Sequence, residues 1–283
     1  MGTSTLRYRV IQGACAILPA RWCDAVVMWL ADRWMWWARP DRAAVRANLE
    51  LVLGPGASVS AEMVREVFRN FARYLCEFFS AHHAHRTIVV LRHPERLRQA
   101  AAAGRGVIIM SAHLGNWEMG GNVLSRLGYA ISAVVLPHAN RGVDRLFDAQ
   151  RRRCGLGAIP LGPRAAHMAM ARLRRGELLA VLGDREFGHN GMPVRFCGHQ
   201  VTMPRGPALL SIRTGAPLVP TFLTREGPRQ FRLAFEEPCW PSPTAAYQEE
   251  VERLTAASTA AIERSVRQCP TQWVMFQPCH APV

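Results

Sequence analysis

The pattern of hydrophobic residues changes near residue 87, and this change constrains the fold more than any other feature of the chain. Before it, apolar residues recur with a helical period, most clearly over residues 60–80. After it, short apolar runs alternate with amphipathic segments of helical length. Such alternation is typical of α/β domains. We therefore predict an α/β core, with a central mixed sheet flanked by helices, under an N-terminal amphipathic helical cap.

The expected elements can be given as ranges. Six strands are predicted at 87–91, 107–110, 130–136, 178–182, 218–223 and 231–235. Six core helices are predicted at 95–103, 116–127, 141–154, 165–175, 205–214 and 245–268, preceded by helices at 41–53 and 60–80. We divide the chain into a helical, membrane-associating region at 1–85 and an α/β core at 86–283, expected to form one integrated domain.

The charge of the chain narrows the choice of partner. The formal net charge is +14, and all 35 basic residues are arginine. Codon bias explains the absence of lysine, but the absence still excludes a pyridoxal Schiff base and a complete P-loop. A basic balance fits nucleic acid, an anionic membrane surface, or an acidic substrate or carrier. Because no recognition helix, zinc finger or aromatic-basic sheet motif is visible, we do not expect nucleic acid.

Cysteine and histidine usage predicts no metal site. The eight cysteines are scattered and form no CxxC pair, which is typical of buried thiols in a reducing compartment. His82, His83 and His85 cluster after a predicted helix, but no carboxylate or cysteine completes a ligand set. We interpret the three histidines as a polar connector.

A tryptophan-rich amphipathic stretch occupies residues 9–38. Its apolar run at 10–20 is too short to span a bilayer, which needs about 20 apolar residues. Tryptophan and arginine together favour the headgroup layer of a membrane. The alternative is a helical pair packed on the protein's own core. The aromatic and basic residues of this stretch are Trp22, Trp29, Trp34, Trp36, Trp37, Arg21, Arg33 and Arg39.

Candidate catalytic residues follow the predicted strand at 107–110. The next residues read Ser-Ala-His-Leu-Gly-Asn-Trp-Glu, which places His113 and Glu118 on either side of a loop that leads into a helix. If Asn116 caps that helix, the Glu118 carboxylate could hold the tautomer of His113 and make it a better general base. No nucleophile elbow is present. The pair therefore suits direct attack by a substrate hydroxyl, without a covalent enzyme intermediate.

The stretch at 104–118 resembles the His-x4-Asp/Glu motif of the bacterial lipid A biosynthesis (lauroyl/myristoyl) acyltransferase family, which includes phosphatidylinositol mannoside acyltransferases. Further blocks match in register across residues 10–277. They are Arg46-Ala47-Asn48-Leu49; Asn140, Asp144, Arg151 and Gly155; Gly183-Asp184-Arg185-Glu186 with Gly191 and Phe196-Cys197-Gly198; Pro204 and Gly206; Arg213 to Pro220; and Pro270-Thr271-Gln272-Trp273 with Phe276.

The resemblance implies a glycerolipid acyltransferase-like fold and transfer of a fatty acyl group from acyl carrier protein or coenzyme A to a hydroxyl of a glycolipid or lysolipid. It makes His113 the base and Glu118 its orienting partner, with no cofactor beyond the acyl donor. Many members of the family carry a hydrophobic N-terminal anchor, whereas charges interrupt the N-terminal apolar run of this chain. We therefore expect a peripheral or monotopic position at the cytoplasmic face of the inner membrane. Asp-Arg-Glu stands at 184–186, where Asp-Gln-Asp or Asp-Arg-Asp is commoner in the family. That departure leaves the choice of acceptor open.

The substrate-binding candidates are Arg151, Asn116, Asp184, Arg185 and Glu186. For the developing oxyanion we expect donors from Arg151 and from the amides of Gly115 and Asn116. Arg151 could instead bind phosphate or a carrier, or lie solvated on a helix face. Asp184 and Glu186 could orient sugar hydroxyls of the acceptor or form an internal ion pair. Hydrolysis of an acyl thioester is the alternative activity, because acyl transfer to water uses the same base.

Overall fold

The computed structural model describes residues 5, 8–9, 12–13, 20–80, 87–187 and 190–279. The histidines at 82, 83 and 85 and the predicted boundary at 85/86 lie outside the described residues. The tryptophan-rich stretch is described continuously only from residue 20 onward.

Within residues 20–80, which are described without a gap, three helices follow one another: α1 at Ala20–Trp37, α2 at Arg39–Leu53 and α3 at Ala61–Phe79. The start of α3 is fixed by Ser60, whose hydroxyl accepts a hydrogen bond from the Met63 amide at 3.1 Å. Gly54 follows α2 with a φ of 87°, a backbone angle that favours glycine. Both helices predicted here are confirmed. Within the described residues, no helix is both long enough and apolar enough to cross a membrane.

Aromatic packing joins α1 to α3 and to the end of the chain. The Trp34 ring centroid lies 4.7 Å from that of Phe68 and 4.8 Å from that of Phe276. Beside this cluster, Arg69 holds the carboxylate of Asp32 through two hydrogen bonds of 2.9 and 2.8 Å. Trp34 is therefore partly buried against the protein's own core, as the core-packing alternative predicts.

The core is a mixed sheet of seven strands in the order β1-β9-β8-β2-β5-β3-β4, with a separate hairpin of β6 and β7. The strands are β1 Ile88–Arg92, β2 Val107–Ser111, β3 Ile131–Val135, β4 Leu156–Pro160, β5 Leu178–Leu182, β6 Met192–Phe196, β7 His199–Met203, β8 Leu218–Gly227 and β9 Gln230–Phe235. The flanking helices are α4 Pro94–Ala102, α5 Trp117–Arg126, α6 Arg141–Arg153, α7 Ala165–Arg174, α8 Gly206–Thr214 and α9 Tyr247–Gln268. The predicted α/β architecture with a helical N-terminal part is confirmed.

The centre of the sheet brings two loops together. Strand β2 lies between β8 and β5, parallel to both, and all five of its residues are buried. Ser111 pairs in register with Leu182, so β2 and β5 end side by side. Loops that follow the carboxyl ends of neighbouring parallel strands are the usual place for functional residues in such sheets. Residues 112–116 and 183–187 occupy these two loops.

All six predicted strands are present, but β4, β6 and β7 were missed. Strand β4 has the sequence Leu-Gly-Ala-Ile-Pro and lies at the edge of the sheet, where proline is tolerated. Its glycine and proline weaken the sequence signal for a strand, which is why it was missed. The hairpin turns at Cys197 and Gly198, with φ values of 51° and 85°. Positive φ at both central residues is the geometry of a tight two-residue hairpin turn. The sequence Cys-Gly is a much weaker signal for such a turn than Asn-Gly.

The last described residues, 270–279, form a C-terminal segment that crosses the loop after β2. Trp273 pairs with Leu114 in an antiparallel bridge, and the Val274 amide donates to the His113 carbonyl at 2.8 Å. Asn48 on α2 fastens the far end of this segment. Its side-chain amide donates to the carbonyls of Met275 and Gln277 at 3.0 and 2.8 Å. Its side-chain oxygen accepts from the Cys279 amide at 2.8 Å.

Asn48→Ala should lower the free energy of unfolding by about 2–4 kcal/mol, because three backbone groups that are buried or partly buried lose their partners, at up to about 1–3 kcal/mol each. Chemical denaturation measures the change. Gln248→Ala is the matched control, since it removes an amide from the exposed first turn of α9 and should change stability by less than about 0.5 kcal/mol. Equal effects of the two variants would contradict the anchoring role of Asn48.

Candidate active site

His113 lies in the tight loop between β2 and α5. Gly115 has a φ of +64°, and a Cβ atom there would lie 1.9 Å from the Leu223 carbonyl oxygen. Only glycine allows this approach, in which the Asn116 amide donates to the same carbonyl at 3.0 Å. The loop is therefore pressed against β8, and the His113 side chain is left partly accessible.

Asp184 holds His113 through two hydrogen bonds. Its Oδ1 lies 2.9 Å from His113 Nδ1, and its Oδ2 accepts from the His113 backbone amide at 2.9 Å. An ionised carboxylate only accepts, so Nδ1 carries the proton and Nε2 of the neutral ring keeps a free lone pair. This is the arrangement in which a histidine acts as a general base through Nε2.

A third donor reaches the same carboxylate. The indole nitrogen of Trp273 donates to Asp184 Oδ2 at 2.8 Å. Complete burial of the Asp184 side chain would raise its pKa, but the neighbouring His113 ring and the three hydrogen bonds outweigh burial, and the pKa of Asp184 lies below its ordinary value. The carboxylate is therefore ionised at neutral pH.

Glu118 does not orient His113, so that part of the sequence hypothesis is wrong. The carboxylate of Glu118 is buried and paired with Arg151, whose Nε and Nη2 donate to Oε1 at 3.0 and 2.7 Å. Glu118 lies in the first turn of α5 and its side chain pairs with Arg151 of α6, whereas His113 pairs with Asp184, which follows β5. Asp184, expected to bind substrate, occupies the position beside the imidazole that we assigned to Glu118.

Arg151 is also placed differently from two of its predicted roles. Its side chain is buried, which excludes a solvated position on the helix face. Besides the fork to Glu118, its Nη1 donates to Asp148 at 3.2 Å, and its guanidinium carbon lies 5.7 Å from the centroid of the Phe147 ring. The Nε–Nη2 edge that would grip a phosphate is occupied by a carboxylate of the protein itself.

Asn116 and the neighbouring amides serve the fold. The Asn116 side chain caps α5 by accepting from Met119 at 3.1 Å, and its amide nitrogen donates to Glu77 at 2.8 Å. The backbone amides of Gly115 and Asn116 donate to the carbonyls of Gln272 and Leu223, both at 3.0 Å. The expectations that Asn116 binds substrate through its side chain, and that these two amides stabilise an oxyanion, are therefore not supported by the contacts.

The helix α3 supplies residues that sequence reasoning missed. Tyr74 stacks on Trp117 with centroids 4.2 Å apart, and the Trp117 ring meets His113 edge-on at 5.1 Å. Glu77 is paired with Arg225 of β8 as well as with Asn116. Burial raises the pKa of Glu77, against the opposing effect of Arg225. Tyr74 and Glu77 carried no signal in the sequence, whereas Trp117 and Trp273 stand in blocks that resemble the family.

Arg185 and Glu186 lie beside a polar cavity of about 440 Å³. The Arg185 guanidinium lies 4.4 Å from the centroid of the Phe187 ring, and partial burial lowers the pKa of Arg185. The cavity is closed on one side by the C-terminal segment. Its other lining residues include Thr202, Met275, Gln277, Pro278 and Cys279.

The chain matches known proteins along most of its length. The profile of the bacterial lipid A biosynthesis acyltransferase family matches residues 8–280. A phosphatidylinositol mannoside acyltransferase of Mycobacterium tuberculosis is 29% identical over 248 residues, covering 83% of this chain and 75% of that protein. A lipid A biosynthesis acyltransferase of Haemophilus influenzae is 26% identical over 184 residues, covering 64% and 55%. A lipid A biosynthesis palmitoleoyltransferase of Escherichia coli is 24% identical over 236 residues, covering 81% and 75%.

These matches bear out the resemblance drawn from the sequence blocks. The relatives are named as acyltransferases of lipid biosynthesis. The chain belongs to the bacterial lipid A biosynthesis acyltransferase family and is an enzyme with acyltransferase activity.

Proposed function

We propose that this enzyme transfers a fatty acyl group from an acyl thioester, carried by acyl carrier protein or coenzyme A, to a hydroxyl of a glycolipid or lysolipid. The observation that carries the proposal is the Nδ1-protonated His113, held by Asp184 at the carboxyl edge of the sheet. Relatives named for phosphatidylinositol mannoside and for lipid A support a glycolipid acceptor. No bound cofactor is needed for this chemistry.

In the proposed reaction, His113 Nε2 removes the proton of the acceptor hydroxyl while the hydroxyl oxygen attacks the thioester carbonyl carbon. The tetrahedral intermediate then collapses, the C–S bond breaks, and the leaving thiolate takes the proton back from Nε2. Asp184 stays ionised throughout and stabilises the transient imidazolium. The acyl group passes directly between substrates, so the enzyme needs no covalent intermediate.

We propose that Glu118 acts through Arg151 rather than through His113. Their buried fork ties the first turn of α5 to α6, and this tie fixes the helix that starts directly after the His113 loop. Removing either partner would leave the other as an unpaired buried charge, which is strongly destabilising. Arg185 and Glu186 are the polar side chains that we assign to the acceptor, because they line the cavity next to Asp184.

We also propose that the enzyme works at the cytoplasmic face of the inner membrane, held peripherally by α1. The exposed apolar residues of α1 recur at helical spacing and form one stripe, opposite the buried Val27, Ala31 and Met35. Arg33 lies on the same stripe, 5.4 Å from the Trp29 ring. Exposed rings beside arginine suit an anionic headgroup layer. The stripe consists of Trp22, Val26, Trp29, Leu30, Trp36 and Trp37.

His113→Gln should lower the rate of acyl transfer by about 10²–10⁴-fold, because glutamine cannot take up the hydroxyl proton. The assay follows acylated glycolipid and free fatty acid by mass spectrometry, with acyl carrier protein and coenzyme A thioesters offered separately. If the variant kept more than about a tenth of wild-type turnover, the assignment of His113 as the general base would be contradicted. Wild-type release of fatty acid that is unaffected by acceptor would instead identify a thioester hydrolase.

Asp184→Asn should lower kcat by about 10³–10⁴-fold, since an amide that donates to Nδ1 forces the proton onto Nε2 and removes the base. Single-turnover kinetics with saturating substrates measure the step. Glu250→Gln is the matched control: Glu250 of α9 is equally buried, but it pairs with Arg253 and accepts from the amide of Ser242, which precedes α9. A similar loss of kcat in both variants would mean that removing any buried carboxylate lowers the activity, and it would contradict a specific role of Asp184.

Replacing Trp29, Trp36 and Trp37 together with serine should weaken binding to anionic vesicles by about tenfold or more, because each ring buries roughly 150–250 Å² on insertion. Sedimentation with phosphatidylglycerol vesicles, at low and high salt, gives the partition coefficient. Trp240→Ser is the control, as this exposed tryptophan lies outside α1. Unchanged sedimentation of the triple variant would exclude α1 as the membrane contact.

A further inference from the structure

Trp273 is the part of the C-terminal segment that reaches farthest into the site. Its side chain is 3% exposed, and its ring packs against Phe196 of the β6–β7 hairpin with centroids 5.7 Å apart. Its indole N–H is aimed at Asp184 Oδ2, the same oxygen that accepts from the His113 backbone amide. One carboxylate oxygen is thus shared between the histidine backbone and the end of the chain.

The two oxygens of the Asp184 carboxylate accept hydrogen bonds from different donors. Oδ1 holds the His113 ring, while Oδ2 receives the two fixed donors. A carboxyl group can rotate about its Cβ–Cγ bond, and donors on Oδ2 in the carboxylate plane oppose that rotation. Without the indole donor, Oδ2 keeps one hydrogen bond and the plane that orients the imidazole is less well defined.

The C-terminal segment fixes the indole and the histidine together. Residues 272–274 pair with 113–115: the Gly115 amide donates to Gln272, and the Val274 amide donates to His113. The Gln272 side chain is itself held by the backbone of Arg225, accepting at 2.8 Å and donating at 2.9 Å. The distance between the indole and the imidazole is therefore set by one short stretch of paired backbone.

From these contacts we infer that Trp273 is a positioning residue of the acyl-transfer reaction, which acts by fixing the Asp184 carboxylate that orients His113. The inference rests on the proposed function. It assigns a specific task to the indole N–H, separate from the packing of the ring. A carboxylate with one donor fewer is more basic, so the Asp184–His113 pair takes up a proton at a higher pH when the indole donor is lost.

Trp273→Phe keeps an aromatic ring and removes the donor. We expect kcat to fall about tenfold with KM within about twofold of wild type, since the substrate contacts are retained and only the orientation of the base is affected. The acidic limb of the pH dependence of kcat should move to higher pH. Phe196→Leu is the matched control, because it loosens the same packing but keeps the indole N–H, and its acidic limb should stay in place.

A second readout does not depend on turnover. The proton between His113 Nδ1 and Asp184 can be followed by ¹⁵N-edited NMR in the free enzyme, and its chemical shift should change in Trp273→Phe but not in Phe196→Leu. If wild type fails to transfer acyl groups yet this shift changes, the proposed function fails and the positioning contact stands. If the resonance and the acidic limb are the same in wild type and Trp273→Phe, the inference is overturned.

Should Trp273→Phe unfold, replacing the indole with benzothiophene by incorporation of benzothienylalanine preserves the bicyclic shape and removes only the N–H. The same two readouts then apply. A wild-type pH profile, kcat and Nδ1 proton shift in that protein would show that Trp273 acts through packing alone. Circular dichroism melting of each variant establishes that the comparison is made between folded proteins.

Discussion

The hydrogen bonds that converge on the Asp184 carboxylate determine how the rest of the site is built. An isolated carboxylate in the protein interior costs several kcal/mol, so a fully buried one requires donors from every side. Here the donors come from the β2–α5 loop and from the C-terminal segment, far apart in sequence. His113 is therefore held by contacts that come from the centre of the sheet and from the C-terminal segment together.

The N-terminal helices take part in the same assembly. One face of α1 packs through Trp34 onto α3, while α3 sends Tyr74 and Glu77 to the loop that carries His113. Asn48 on α2 holds the segment that brings Trp273 to Asp184. The helix α1 is thus connected to the start of α5 and to Asn116 of the His113 loop through packed side chains of α3.

Much of the fold was readable because its elements carry local signals. The helical period of 60–80 and the short apolar runs after 87 predicted their elements correctly, whereas β4 was missed because glycine and proline mask an edge strand. His113 was found from its motif. Its partner was not, because spacing along the chain does not say which way a side chain turns. The partnership with Asp184 follows from β2 lying next to β5, and strand order is a property of the whole sheet.

Asp184 and Glu118 therefore have separate roles near His113, although the sequence predicted that Glu118 alone would orient the ring. Asp184 faces Nδ1 and determines the proton on the ring, while Glu118 faces Arg151 and holds the start of α5. The loop between them is fixed on one side by β8 and the C-terminal segment and on the other by α3 and α6. A five-residue spacing can join a histidine to a glutamate in two ways, as a dyad or as two anchors of one rigid loop. In this chain the contacts are those of two anchors. Replacing Glu118 would therefore change the position of the His113 loop first, and the proton on the His113 ring only through that change.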